Sequence, residues 1–161
     1  MKSLIRGAFA GTIATALMSA VMLGGRRLGV TGTLPPEKIT SKLLRSHGIH
    51  PDRGQQDAIA TGLHFAFGAA AGGTFAVVAR RVPVPSLPLG IAYGAGIWGV
   101  SYMGWIPSMG LMPRADHDDR GRQAVMLAGH LVFGATLGVL AGRRRRRAAA
   151  DIAEEGAAGE R

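Results

Sequence analysis

The chain alternates between long uncharged apolar segments and short charged ones. Four intervals contain no Asp, Glu, Lys or Arg, and they cover residues 7–25, 58–79, 82–113 and 123–142. A soluble helix of this length needs charged or polar residues at helical spacing on its wet face, and none of the intervals carries charge. Each interval does reach the roughly 20 apolar residues with which a helix crosses about 30 Å of hydrocarbon. The pattern predicts four transmembrane helices, with a soluble bundle rich in alanine and glycine as the alternative.

Prolines refine the third interval, which is too long for one straight span. Pro88 lies near its beginning and Pro107 near its end, leaving a helix of about 20 residues. The predicted spans are therefore 7–25, 58–79, 88–107 and 123–142, in one all-α membrane domain over residues 1–142. The remaining residues, 143–161, form a basic and then Ala- and Glu-rich tail, which we expect to be mobile or a frayed helix.

The connection between the first two spans contains a candidate amphipathic helix, "LPPEKITSKLLRSHG". Pro36 suits a first helical turn and Gly48 suits a helix stop. Ile39 and Leu43 share one face. Two interpretations stay open, a helix lying along the membrane surface and an ordinary solvated loop helix.

The charge distribution favours a lipid partner. The formal net charge is +9, and a run of five arginines, Arg143, Arg144, Arg145, Arg146 and Arg147, directly follows the last apolar interval. At that place the run would contact anionic lipid headgroups, so nucleic acid is the less favoured partner. The same contiguous run favours cytoplasmic termini.

The second and fourth spans carry a repeated motif. "LHFAFGAAAG" at residues 63–72 matches "GHLVFGATLG" at residues 129–138, so His64 corresponds to His130. The match predicts an internal duplication, in which two related helical hairpins are arranged about a pseudo-two-fold axis along the membrane normal. Small residues spaced by four allow close helix approach in lipid, and they indicate these packing positions: Gly7, Gly11, Gly68, Gly72, Gly134 and Gly138.

Three interpretations of His64 and His130 compete. Each ring could donate a hydrogen bond across a helix interface, line a proton or substrate path, or serve as an axial ligand of a haem. No acid lies inside any predicted span, which weakens the path. Close packing at glycine leaves little room for a porphyrin. No cofactor is therefore predicted, and the two histidines are only candidates for cofactor binding.

A second cluster of chemically active residues is predicted outside the membrane. On this topology one side holds His47, His50, Asp116, His117, Asp118 and Asp119, and such residues can hold zinc or another divalent metal, with the first four as the candidate ligands. Their spacing matches no specific metal motif, which favours solvated loop residues. The chain has no cysteine, nucleophile elbow or phosphate loop, so we predict no catalytic residue and a non-enzymatic protein.

Three short motifs carry a resemblance to a known family. "LPPEKIT" in the first loop, "GLMP" after the third span and "GHLVFGATLG" in the fourth resemble the YagU-like group of small bacterial inner-membrane proteins of unknown function. The resemblance covers most of residues 7–142. It implies a bacterial cytoplasmic membrane and a few helical spans, and it brings no reaction, ligand or catalytic residue.

These observations predict a small membrane component that acts through helix packing, by self-association as a homo-oligomer or by binding a membrane protein partner. The first alternative is a small transporter or proton-linked permeation unit that uses His64 and His130. The second alternative is a haem- or metal-binding membrane protein.

Overall fold

A computed structural model shows an all-helical chain. It describes residues 1–159, without the side chains of residues 115, 144–149 and 151–159, and this part of the chain contains no β-strand. The helices are α1 (Lys2–Arg27), α2 (Pro35–Ser46), α3 (Arg53–Arg81), α4 (Ser86–Gly99), α5 (Ile106–Ser108) and α6 (Arg120–Gly159). A π-helical segment (Val100–Trp105) joins α4 to α5, and a 3₁₀ turn (Ala115–His117) precedes α6.

Three helical stretches are long and apolar enough to cross a bilayer, namely Lys2–Arg27, Arg53–Arg81 and Arg120–Arg143. They contain the first, second and fourth predicted spans, and they confirm an all-helical chain with helices of membrane length. The backbone of α6 continues through the predicted tail to Gly159. The side chains of Arg144 to Arg147, for which headgroup contact is predicted, lie outside the described residues.

The third predicted span, residues 88–107, is not one regular α-helix. Helix α4 begins earlier, at Ser86, with Pro88 in its first turn, where a missing N–H breaks no intrahelical bond. Its α-helical part has 14 residues and then widens into the π-helical segment. Gly104 there has φ −107° and ψ −106°, outside the helical region. The expected straight helix of about 20 residues is therefore corrected to an interrupted one.

Helices α1 and α3 pack antiparallel through direct backbone contact. A Cβ atom placed on Gly7 would lie 2.6 Å from the carbonyl oxygen of Gly72, and one placed on Gly72 would lie 2.6 Å from Cα of Gly11. Gly11 in turn packs against Gly68. Only glycine permits this approach, and the close backbones gain dispersion contacts that do not depend on water.

Helices α4 and α6 repeat this contact. A Cβ atom on Gly90 would lie 2.9 Å from Cα of Gly138, and one on Gly134 would lie 3.0 Å from the amide nitrogen of Gly94. The motif in the fourth span indicated Gly134 and Gly138 but not their partners. The partners carry the same signal, because "GIAYG" also spaces Gly90 and Gly94 by four residues.

The two helix pairs meet along α1 and α6 and at one end of α3 and α4. A Cβ atom on Gly129 of α6 would lie 3.3 Å from Cγ of Met18 in α1. Between α3 and α4, the Tyr93 hydroxyl donates to the carbonyl oxygen of Ala71 at 2.9 Å, and the rings of Phe75 and Tyr93 are 5.3 Å apart. The bundle is therefore closed at the end that holds the glycine contacts.

We predict that Gly134→Ala destabilises the bundle while Gly96→Ala does not. The new methyl group at position 134 would collide with the α4 backbone, and such overpacking costs about 1–3 kcal/mol. At Gly96 a Cβ atom would meet no described atom within 4 Å, so alanine there raises helix stability by about 0.5–1 kcal/mol. Denaturation in detergent, followed by far-UV circular dichroism, measures both changes. Equal stabilities of the two variants would contradict the packing.

Candidate functional site

A cavity of about 250 Å³ lies between the two helix pairs, in the half of the bundle beyond the direct backbone contacts of each pair. Side chains from α1, α2, α3, α4, the π-helical segment and α6 line it. Its wall is mostly apolar and aromatic, and no Asp, Glu, Lys or Arg side chain among the described residues lines it. Its larger apolar lining residues are Met18, Met22, Leu63, Phe67, Ile97, Trp98, Trp105, Ile106, Met112, Met126 and Phe133.

The structure brings the repeated histidines to this one cavity. His64 lines it beside Gly68, which packs on Thr15 at the end of the α1–α3 contact. His130 lines it where the backbone of α6 touches Gly94, at the end of the α4–α6 contact. Both rings therefore lie where the direct backbone contact between two helices ends and the cavity begins.

The two rings differ in their hydrogen bonds. Nδ1 of His130 is 2.8 Å from the carbonyl oxygen of Met126, so its N–H donates there and Nε2 is left as an acceptor. Nε2 of His64 and Nε1 of Trp98 are buried and have no hydrogen-bond partner among the described residues. A buried polar atom without a partner costs about 1–3 kcal/mol, and Thr31 and Arg122 carry such atoms away from the cavity as well.

A carboxylate reaches the cavity wall from outside the spans. Tyr102 lines the cavity, and its hydroxyl donates to the carboxylate of Asp118 in the loop before α6. Asp118 also forms an ion pair of 3.5 Å with Arg122, and its side chain is only 7% exposed. The sequence pattern placed Asp118 among solvated loop residues. No local signal reveals this contact, because it depends on the path of the loop.

Helix α2 covers one end of the cavity. Pro35, Ile39 and Thr40 line the cavity from α2. The helix is held there by Lys42, whose ammonium donates to the carbonyl oxygens of Met109 at 3.2 Å and of Gly110 at 3.0 Å. Helix α2 therefore packs on the bundle. The two interpretations of the sequence, a helix along the membrane surface and a solvated loop helix, did not include this contact.

The cavity opens on the outer surface of the bundle. Leu63 and Phe67 of α3 and Trp105 of the π-helical segment line the cavity, yet they are 48%, 52% and 39% exposed. The opening therefore lies between α3 and the interrupted helix. Trp105 needs no further partner there, because its indole N–H donates to Oγ of Ser101 at 3.2 Å.

The candidate metal ligands are not brought together. His47 bonds to the carbonyl oxygen of its own helix at Leu43, and His50 bonds to that of Gly48. Asp116 and His117 pair only with their neighbours, and the hydrogen bond from His117 holds the pKa of the Asp116 carboxyl below its ordinary value. The described residues contain no group of three or more His, Cys, Asp or Glu placed to hold a metal ion.

We predict that Asp118→Asn lowers the free energy of unfolding by about 1.5–3 kcal/mol, because it removes the charge that pairs with Arg122 and leaves Tyr102 donating to a neutral acceptor. Asp57→Asn is the matched control, since Asp57 is exposed, and its effect should stay within about 0.5 kcal/mol. Thermal denaturation in detergent compares the two variants. Similar stabilities would show that the Tyr102–Asp118–Arg122 contact does not stabilise the fold.

Comparison with known proteins places the chain in a family without a known activity. No curated protein and no solved structure matches the chain. The match to a family model covers residues 1–152, most of the chain. The chain belongs to DUF6789, a family of unknown function.

Proposed function

We propose that this protein crosses the membrane four times and binds a small lipid-soluble molecule in the central cavity, without catalysing a reaction. The observation that carries the proposal is the position of the opening, between Leu63 and Phe67 on one side and Trp105 on the other. Around it stand helices of membrane length, so the opening faces acyl chains once the bundle is in a bilayer. A molecule dissolved in the bilayer can then enter without crossing water.

The interrupted helix serves as the third span in this proposal and brings the number of spans to four. Residues 86–108 run through α4, the π-helical segment and α5 without a charged residue. At about 1.5 Å per residue this path suffices for about 30 Å of hydrocarbon. Irregular backbone at membrane depth is tolerated where it lines a cavity, as the π-helical segment does, and π-helical turns are frequent at functional sites.

The composition of the wall supports binding. Ligand sites are concave, mostly apolar and carry a few polar groups that fix orientation. Here the polar groups include His64, His130, Trp98 and Ser101, spread over four helical elements that converge on one space. Two of them have buried atoms without a partner.

Self-association through the glycine stripes is less well supported. The stripes are occupied inside one chain, since Gly11 packs on Gly68 and Gly90 packs on Gly134. A homo-oligomer or a membrane partner would need another face. The bacterial inner membrane, the cytoplasmic termini, the headgroup contacts of the arginine run and the YagU-like relationship remain part of the proposal on the sequence pattern alone.

Proton-linked permeation is a second candidate, favoured by the contact between Tyr102 and Asp118. Through Tyr102, the wall of the cavity that holds both histidines is connected to a carboxylate, a group that the spans themselves lack. A haem held by His64 and His130 is the third. A stoichiometric haem spectrum that disappears in His130→Ala would support it.

We predict that iodobenzene quenches the tryptophan fluorescence of the purified protein in a saturable way. Both tryptophans of the chain, Trp98 and Trp105, line the cavity, so a heavy atom bound there reaches each of them. Ala60→Phe should abolish the saturable part, because Ala60 is 2% exposed and lines the cavity. Ala66→Phe on the exposed face of the same helix is the control and should quench like the wild type.

Only linear quenching in the wild type, as expected for partition into detergent, would contradict the proposal. Identical saturable quenching in Ala60→Phe would contradict it as well, because the probe would then bind elsewhere. Circular dichroism of each variant checks that the helices are retained.

We predict that proteoliposomes containing the protein take up protons no faster than empty liposomes under an imposed pH gradient, with pyranine fluorescence as the measurement. A binding protein needs no continuous path, and the glycine contacts close one end of the bundle. A flux that is present in the wild type and lost in both His64→Gln and His130→Gln would instead establish the permeation candidate.

A further inference from the structure

We infer that the cavity binds a neutral, lipid-soluble ring compound that carries a hydroxyl group, and that this hydroxyl donates to Nε2 of His130. The inference rests on the proposed binding function and adds the class of ligand. It is carried by the hydrogen-bonding groups of the cavity wall, whose donors have partners inside the protein or are buried while the ring of His130 leaves an acceptor.

The acceptor is defined by the tautomer of His130. Nδ1 of this ring is 2.8 Å from the carbonyl oxygen of Met126, and a carbonyl oxygen can only accept, so Nδ1 carries the hydrogen. A neutral imidazole has one N–H, which makes Nε2 an acceptor. His130 lines the cavity, and its Nε2 is not one of the buried atoms without a partner. A donor inside the cavity can therefore reach this nitrogen.

The donors of the wall are not free in the same way. The hydroxyl of Thr15 donates to a backbone carbonyl oxygen, the hydroxyl of Tyr102 to a carboxylate and the indole N–H of Trp105 to a serine oxygen. Nε1 of Trp98 is buried, so it does not face the cavity. An ether or a ketone, which can only accept, would find none of these four donors. A hydroxyl group does find an acceptor, at His130.

A water molecule alone fits this acceptor poorly. An ordered water in a protein interior needs about two to four polar partners, and the wall around His130 is mostly apolar and aromatic. A hydroxyl group attached to an apolar body forms the same hydrogen bond, and its body packs on the apolar wall. The wall therefore favours an amphiphilic molecule over water.

The wall also selects a neutral molecule. A buried charge without a counter-charge is strongly unfavourable, and no charged side chain of the described chain lines the cavity. Asp118 lies behind Tyr102 and is already paired with Arg122. Neither an anion nor a cation would find a free partner among these groups.

The volume and the opening set the rest of the ligand. An apolar cavity of about 150 Å³ in a protein core binds benzene, and the cavity here, at about 250 Å³, has room for a double ring. His130 belongs to α6, which packs on α1 and α4, whereas the opening lies between α3 and the π-helical segment. The hydroxyl group therefore lies inside, and the rings extend towards the exposed side chains of Phe67 and Trp105.

Three naphthalenes separate the chemistry of the hydroxyl from its size. 2-Naphthol has a donor, 2-methylnaphthalene has a group of similar size without oxygen, and 2-methoxynaphthalene has an oxygen that can only accept. A phenol is neutral at neutral pH. The full chain in lipid nanodiscs is dialysed against each probe, with empty nanodiscs as the blank. The affinity is expressed against the probe dissolved in the bilayer, which removes differences in partition.

We expect the wild type to bind 2-naphthol at least about tenfold more tightly than either of the other probes. His130→Phe keeps a ring and removes the acceptor, so it should bind all three probes within about twofold of one another. Trp98→Phe is the control, because it changes the same wall and removes only a buried donor. Its preference for 2-naphthol should stay within about twofold of the wild type. Circular dichroism confirms that each variant is folded.

Nitrogen-15 spectra test the same bond without a substitution in the measured sample. In histidine-labelled protein the Nε2 resonance of His130, assigned by its loss in His130→Phe, should move upfield with 2-naphthol, as an unprotonated ring nitrogen does when it accepts a hydrogen bond. 2-Methoxynaphthalene should leave it in place.

Equal affinities of the wild type for 2-naphthol and 2-methoxynaphthalene would overturn the inference and leave the binding function standing. A preference for 2-naphthol that survives in His130→Phe, or an Nε2 resonance that 2-naphthol does not move, would overturn it as well. Binding of no probe above the empty nanodiscs would also overturn it. Iodobenzene has no donor, so its failure to saturate would separately overturn the proposed function.

Discussion

Direct backbone contact at glycine determines the shape of this bundle. In each helix pair one half of the interface has no side chains between the backbones, as at Gly72 against Gly11 and Gly138 against Gly90. The same faces continue into bulky residues, such as Met18 on α1 and Trp98 on α4, which line the cavity. Bulky side chains replace backbone contact there, so the cavity lies beyond the last of these glycine contacts in each pair.

The two helix pairs have similar glycine contacts and different histidines. His130 is fixed by its bond to the carbonyl oxygen of Met126, which defines its tautomer and its ring orientation. His64 has a buried ring nitrogen without such a bond. Helices α1 and α4 also differ at the depth of these histidines. Thr15 of α1 packs on Gly68, and its hydroxyl donates to the carbonyl oxygen of Gly11. The corresponding residue of α4 is Gly94, which packs on Gly134. One histidine is therefore fixed by a bond to the backbone, and the ring nitrogen of the other is buried without one.

Much of the fold could be predicted from the sequence, because exclusion of charge and spacing of small residues are local signals. The interrupted third span could not, since Pro88 and Pro107 mark its ends while the π-helical turn and the kink at Gly104 lie between them. Half of the α4–α6 contact was missed, although Gly90 and Gly94 carry the spacing that identified Gly134 and Gly138. The pairing of Tyr102 with Asp118 depends on a loop path that no periodicity encodes. The docking of α2 has the same cause, because the loop carbonyls that accept from Lys42 can belong to any residue type.

The two tryptophans of the cavity wall differ in how their indole groups are satisfied. The indole N–H of Trp105 donates to Oγ of Ser101, whereas Nε1 of Trp98 is buried without a partner among the described residues. Each buried polar atom without a partner costs about 1–3 kcal/mol, and phenylalanine at position 98 would fill similar space without that cost. A bundle held together by glycine contacts does not need an indole there, so packing alone does not explain Trp98.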